Sequence, residues 1–227
     1  MMVTREVLIF GRFERFWHWA QMVLITLLMF TGFGLHGFHG MLDFELAVTL
    51  HTLAAFALLI LWAFSVFWLF TTETWRHFLP TGRGLWNVLR FYSYGIFRGE
   101  RHPYRKAFWR KHNPLQALAY LMLKIVLFPL IWITGIAYMI YFLWRDFTYS
   151  SDVLSVVAMI HTGAAYAILV FALIHIYMLT IGSFRAHVMP MITGFDNVEL
   201  APEEVAYLEK DQPAMIRPLT DQTTAGH

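Results

Sequence analysis

"IHTGAAYAILVFALIHIY", residues 160–177, contains no Asp, Glu, Lys or Arg and is almost wholly apolar, yet it holds two imidazoles, His161 and His175. On a helix, fourteen positions at about 100° each fall about 40° short of four full turns, so both rings leave nearly the same face, about 21 Å apart along the axis. One helix of this kind offers two ligands at two depths. Such a run is also long enough to cross a bilayer.

The rest of the chain fits that setting. Its 227 residues are 58% hydrophobic and 14% charged, whereas a soluble domain carries roughly a quarter charged residues. Four stretches of sufficient length and apolarity are found, near 16–35, 46–70, 115–142 and 154–182. The expected fold is therefore all-α, a four-helix transmembrane bundle spanning residues 1–195, with a polar tail at 196–227. The first span follows an irregular mixed-charge segment and lacks a small-residue cleavage site, so it is read as a retained anchor. Cysteine is absent, which excludes disulfides, thiolate metal sites, iron–sulfur ligation and thioether-linked haem.

The cationic residues sort sharply. Arg5, Arg12 and Arg15 precede the first span; Arg76, Arg83, Arg90, Arg98, Arg101, Arg105, Lys106, Arg110 and Lys111 lie in the middle loop, residues 71–114; Arg185, Lys210 and Arg217 follow the last span. The two remaining loops hold Arg145 against Asp43, Glu45, Asp146 and Asp152. The positive-inside rule then places both termini and the middle loop in the cytoplasm. Within that loop "GLWNVLRFYSYGIF", residues 84–97, reads either as an amphipathic helix on the lipid surface or as a packed loop helix. "APEEVAYLEKD" in the tail reads as a short helix, and no internal repeat is evident.

Depth pairs the span histidines. His18 enters from the cytoplasmic side and His175 returns to it, while His51 and His161 stand near the outer face. A lone membrane histidine often only hydrogen-bonds a neighbouring helix, but four that match in two pairs suggest ligation. Zinc and copper sites normally need three or four ligands. A porphyrin needs two axial ones, since its own nitrogens supply the rest. Two bis-histidine haems b are thus expected, His51 with His161 and His18 with His175, with no open coordination position and hence electron transfer rather than oxygen activation. Gly32, Gly34, Gly135 and Gly163 either admit a flat macrocycle or serve ordinary helix packing.

"RFERFWHW" at 12–19, His51, "HNPLQALAY" at 112–120 and the histidines fourteen apart together resemble the membrane cytochrome b subunits of respiratory complexes such as formate dehydrogenase, nickel–iron hydrogenases and thiosulfate reductases. The resemblance covers residues 5 to about 195. It implies the same haem pairing and a quinone site beside the inner haem, formed partly by Asn113, with menaquinone or ubiquinone as exchangeable substrate. Asn113 also suits a helix cap before Pro114, and Gln116 can hydrogen-bond a quinone carbonyl. The family commonly has tyrosine where His112 stands, and the segment "HVMPMITGFDNVE" looks closest to the thiosulfate reductase branch. Lys124, within the third span, either snorkels to the surface or meets a haem propionate or the quinone. His36 and His39 are read as surface or partner-contact residues, and Pro129 as a bend.

The implied setting is the bacterial cytoplasmic (inner) membrane. The expected partners are an iron–sulfur or multihaem cytochrome c electron-transfer subunit and a catalytic subunit at the outer face, besides quinone and lipid, with no nucleic acid. The main substrate chemistry would lie on the partners. The rival reading is a haem-free membrane anchor whose histidines only tie helices together.

Overall fold

The computed structural model describes residues 2–75, 84–100, 114–180 and 184–217. Four long helices dominate: α1 (Arg12–Leu35), α2 (Phe44–Thr71), α4 (Pro114–Met139) and α5 (Ser150–Thr180), all long and apolar enough to span a membrane. Between α2 and α4 lies the short α3 (Leu85–Ser93). The expected four-helix membrane bundle is thus found, with ends within four residues of those read in the sequence.

Local chemistry sets these ends. The Asp43 side chain accepts the Leu46 amide at 2.8 Å and starts α2, satisfying one of the donors that a helix N-terminus leaves open. At α1 the Glu14 carboxylate reaches back to the Gly11 amide at 2.7 Å. Pro129 does not simply bend α4. It has no N–H, and its ring would clash with the carbonyl four residues back. Residues Leu123–Leu127 form a π-helical turn just before it, in which the Phe128 amide reaches the Leu123 carbonyl. The wider turn absorbs the proline and places Lys124 inside it.

Large apolar side chains such as Val23, Phe56, Phe64, Ile133, Met159 and Leu173 face outward, as a lipid solvent permits. Where all four helices meet, Leu123, Phe128 and Ile168 are buried against Ile25, Met29, Trp62, Leu127, Ile131 and Phe171. Ile168 lies seven residues from each of His161 and His175, so this apolar layer fills the middle of the bundle between the two histidine depths.

Outside the bundle the structure adds an element that the sequence reading did not anticipate. Strand β1 (Val3–Leu8) pairs antiparallel with β2 (Phe195–Leu200), from Val3 opposite Leu200 to Leu8 opposite Phe195. The helix read in "APEEVAYLEKD" is present as α7 (Pro202–Asp211), after α6 (Phe184–Thr193). Val7, Val198, Leu200, Val205, Leu208 and Ile216 form one buried cluster, and an Arg217–Glu6 ion pair at 2.8 Å closes its rim. Residues 3–8 and the tail thus fold together as one clasp, because each strand alone leaves an apolar face unburied. Gly194 makes the junction. Its φ is +93°, and a Cβ there would lie 2.8 Å from the Phe10 carbonyl oxygen, so any side chain meets both strain and a clash.

Candidate functional site

Helix α5 carries both His161 and His175, and the structure pairs each with one further histidine. At the side of the two short hairpin connections, His51 of α2 faces His161, with ring centres 6.4 Å apart and planes at 62°. At the side of the chain termini, His18 of α1 faces His175 at 6.3 Å and 54°. These are the pairs read from depth. An ion held between two imidazole nitrogens sets their ring centres about 6 Å apart, from about 2 Å per metal–nitrogen bond and about 1 Å from nitrogen to ring centre. Both pairs meet that requirement. Among the described residues no group of three or more His, Cys, Asp or Glu could hold a metal, so a bare ion would find only two protein ligands. A porphyrin brings four nitrogens of its own, and the residues present fit it.

The hairpin-side pair is supported by hydroxyls. Thr31 is fully buried on α1, and its Oγ1 lies 2.9 Å from His51 Nδ1. Thr134, nearly as buried on α4, stands in the same relation to His161 Nδ1, also at 2.9 Å. Each hydroxyl donates to the carbonyl four residues back, Leu27 and Leu130, at 2.8 Å. The backbone carbonyls of Leu28 and Ile131 also lie within 3.2 and 3.1 Å of the same hydroxyls. Both threonines precede a glycine that borders the ring: a Cβ at Gly32 would make ordinary contact with His51 Cε1 at 3.5 Å, and one at Gly135 would press on His161 Cε1 at 3.3 Å.

The two helical hairpins therefore repeat one device, a Thr-Gly near the end of the first helix facing a histidine early in the second. The reading that no internal repeat is present is corrected at this level. The signal was available as "TG" at 31–32 and 134–135, but a dipeptide common in spans does not announce itself.

Other residues resolve differently. Gly34 does not border the histidine pair; a Cβ there would lie 2.8 Å from His39 Cε1. His39 folds back to stack on Phe30 at 4.5 Å, with Nε2 2.8 Å from the Phe30 carbonyl. His36 Nε2 lies 3.3 Å from Thr162 Oγ1. His39, half-buried and bonded inside the chain, departs from its reading as a surface or partner-contact residue, whereas His36 is exposed as read.

The terminal-side pair is framed by aromatics instead. His175 lies parallel to Phe171 at 6.2 Å and edge-on to Tyr120 at 6.4 Å, while His18 meets the edge of Trp19 at 5.2 Å. His18 Nδ1 is buried without a hydrogen-bond partner among the described residues. The Trp19 indole donates to the Met191 carbonyl at 2.9 Å and the Arg15 guanidinium to the Ile192 carbonyl, so the end of α6, where it enters the clasp, is tied to the helix that bears His18.

Lys124 Nζ sits 4.7 Å over the Trp17 ring, next to His18 in sequence. Gln116 is exposed on the first turns of α4. Four-residue steps place Gln116, Tyr120 and Lys124 along one side of that helix, and Tyr120 anchors the row at His175. The sequence reading had named Gln116 and Lys124 but missed Tyr120, whose signal was its spacing between them. Asn113 and His112 lie outside the described residues.

Comparison with known proteins identifies a family. The family described as Prokaryotic cytochrome b561 matches residues 9–194. The Escherichia coli (strain K12) protein named "Putative cytochrome YdhU" is 30% identical over 137 residues, which cover 58% of this chain and 52% of that protein. The chain thus matches about half the length of this relative. No solved structure matches significantly.

Proposed function

The chain belongs to the prokaryotic cytochrome b561 family, multi-pass membrane cytochromes b whose histidines hold haem b for electron transfer, and from that premise we propose that it is the dihaem membrane subunit of a respiratory oxidoreductase complex. The observation that carries the proposal is the double pairing of imidazoles at 6.4 and 6.3 Å on three helices. His51 and His161 would hold one haem, His18 and His175 the other. Two haems b would supply one-electron transfer across the bilayer between an outer-face redox partner and the quinone pool.

The charge asymmetry of the loops supports a cytoplasmic position for the termini and the middle loop, and with it an inner-membrane setting. The His18 and His175 pair then lies at the cytoplasmic side, where water can deliver or accept protons. A quinone needs donors for two carbonyls and a proton route. The Gln116 amide, the Tyr120 hydroxyl and the Lys124 ammonium offer such donors on one side of α4, and Asn113 is the family's further candidate. In this proposal a catalytic subunit and an iron–sulfur or multihaem cytochrome c subunit would stand at the outer face, and iron–sulfur chemistry would fall to them because this chain has no cysteine.

Stopped-flow mixing of the reduced, detergent-purified chain with short-chain menaquinone or ubiquinone analogues tests this reading. Reoxidation of the b-type absorption is expected to persist in His161→Ala and to vanish in His175→Ala. The reverse dependence would overturn the assignment of the quinone side, and no reoxidation by either quinone in the unmodified chain would overturn the quinone reaction itself.

A further inference from the structure

We infer that Thr31 and Thr134 are positioning residues that hold the His51 and His161 rings with Nδ1 protonated and Nε2 turned to the iron, making this the more basic ligand pair. The inference rests on the reading that these two histidines share a haem. It begins with a count of hydrogens. A threonine hydroxyl has one, and at both sites a helix carbonyl 2.8 Å away takes it. The oxygen then faces the imidazole with lone pairs only, so the hydrogen bond at 2.9 Å must be donated by Nδ1–H. A neutral imidazole carries a single ring proton. Fixing it on Nδ1 leaves Nε2 as the free donor atom, in the tautomer that metal ligation needs.

The Leu28 and Ile131 carbonyls, 3.2 and 3.1 Å from the two hydroxyls, further occupy the threonine hydrogen. Acceptors on the far nitrogen draw that proton away, raise the basicity of the ligating nitrogen and favour the oxidised metal. Among the described residues the His18 Nδ1 has no such acceptor. The hairpin-side haem is therefore expected at the lower midpoint potential of the two, a downhill order for electrons passing from the hairpin side to the terminal side.

Thr31→Val and Thr134→Val keep the side-chain shape and remove the acceptor, whereas Thr31→Ser and Thr134→Ser restore it without the methyl group. Potentiometric titration of the full purified chain reads both haems, and the hairpin-side component is the one missing from His51→Ala. The expected result is an upward shift of that component in each valine variant, larger in the double variant. The terminal-side component should stay in place, the serine variants should titrate like the unmodified chain, and the unmodified hairpin-side component should be the lower one.

An unchanged hairpin-side potential in the double valine variant overturns the inference, as does a shift shared equally by the serine variants, which would trace the effect to packing. Should the valine variants lose that haem altogether, retention in the serine variants upholds the inference and loss in both overturns it. The underlying dihaem reading fails separately, by an unmodified chain that titrates with fewer than two haems.

Discussion

At the hairpin side His51 and His161 each lean on a threonine hydroxyl at 2.9 Å, whereas at the terminal side His175 lies flat against Phe171 and His18 meets the edge of Trp19. A hydrogen bond fixes both the direction of a ring and the position of its proton. Aromatic packing fixes the plane and leaves the far nitrogen undirected. The hairpin-side pair is thus held in preset ring orientations. The terminal-side pair lies beside Tyr120 on α4, and the start of α1 ties it to the clasp through hydrogen bonds from Arg15 and Trp19.

The largest expected effect that would break this comparison comes from the ligands. His161→Ala and His175→Ala should each remove one of two haems, and the remaining absorption should differ between them; identical residual spectra and potentials would mean that the two sites are not distinct. Next comes the clasp. Leu208→Ala empties a fully buried position and should cost about 2–5 kcal/mol of local stability. Hydrogen exchange should rise at residues 3–8 and 195–208, with any spectral change confined to the terminal-side haem. A change at the hairpin side instead would show that the two regions are mechanically one.

Smaller effects sharpen the chemistry. Tyr120→Phe keeps the ring against His175 and removes the hydroxyl, so quinone turnover should fall several-fold with both haems retained, as read by steady-state assay and haem content. Lys124→Met should slow turnover a few-fold while thermal stability holds or rises, because an ammonium inside a span costs about 2.5–3.5 kcal/mol by insertion scales. Unchanged turnover would leave Lys124 as a side chain that only packs over Trp17.

Much of the bundle was legible in the sequence because a membrane imposes one rule on every span, a sustained apolar run, and because charge reports which loops lie together. Histidines 51, 161, 18 and 175 stood out because a polar ring is rare in such runs, and a helix converts sequence position into depth. Thr31 and Thr134 were hidden by the opposite property. A span threonine commonly bonds its own helix carbonyl, as Thr26 does with Met22, and only the distance to a ring on another helix reveals the second bond.

The clasp was illegible for a different reason. Val3–Leu8 carries Arg5 and Glu6 among apolar neighbours, and its partner strand lies almost the whole chain away, so no local pattern names the pairing. The π-turn at Leu123–Leu127 was half legible, since Pro129 announced a disturbance without its form.

The most direct test of the central claim is the haem content of the purified chain, measured by pyridine haemochrome and by the dithionite-reduced minus oxidised spectrum. The account predicts two b-type haems per chain in the unmodified protein and one in each single-histidine variant of His18, His51, His161 or His175. A chain that binds at most one haem, or that keeps both after loss of any of these four imidazoles, would contradict it.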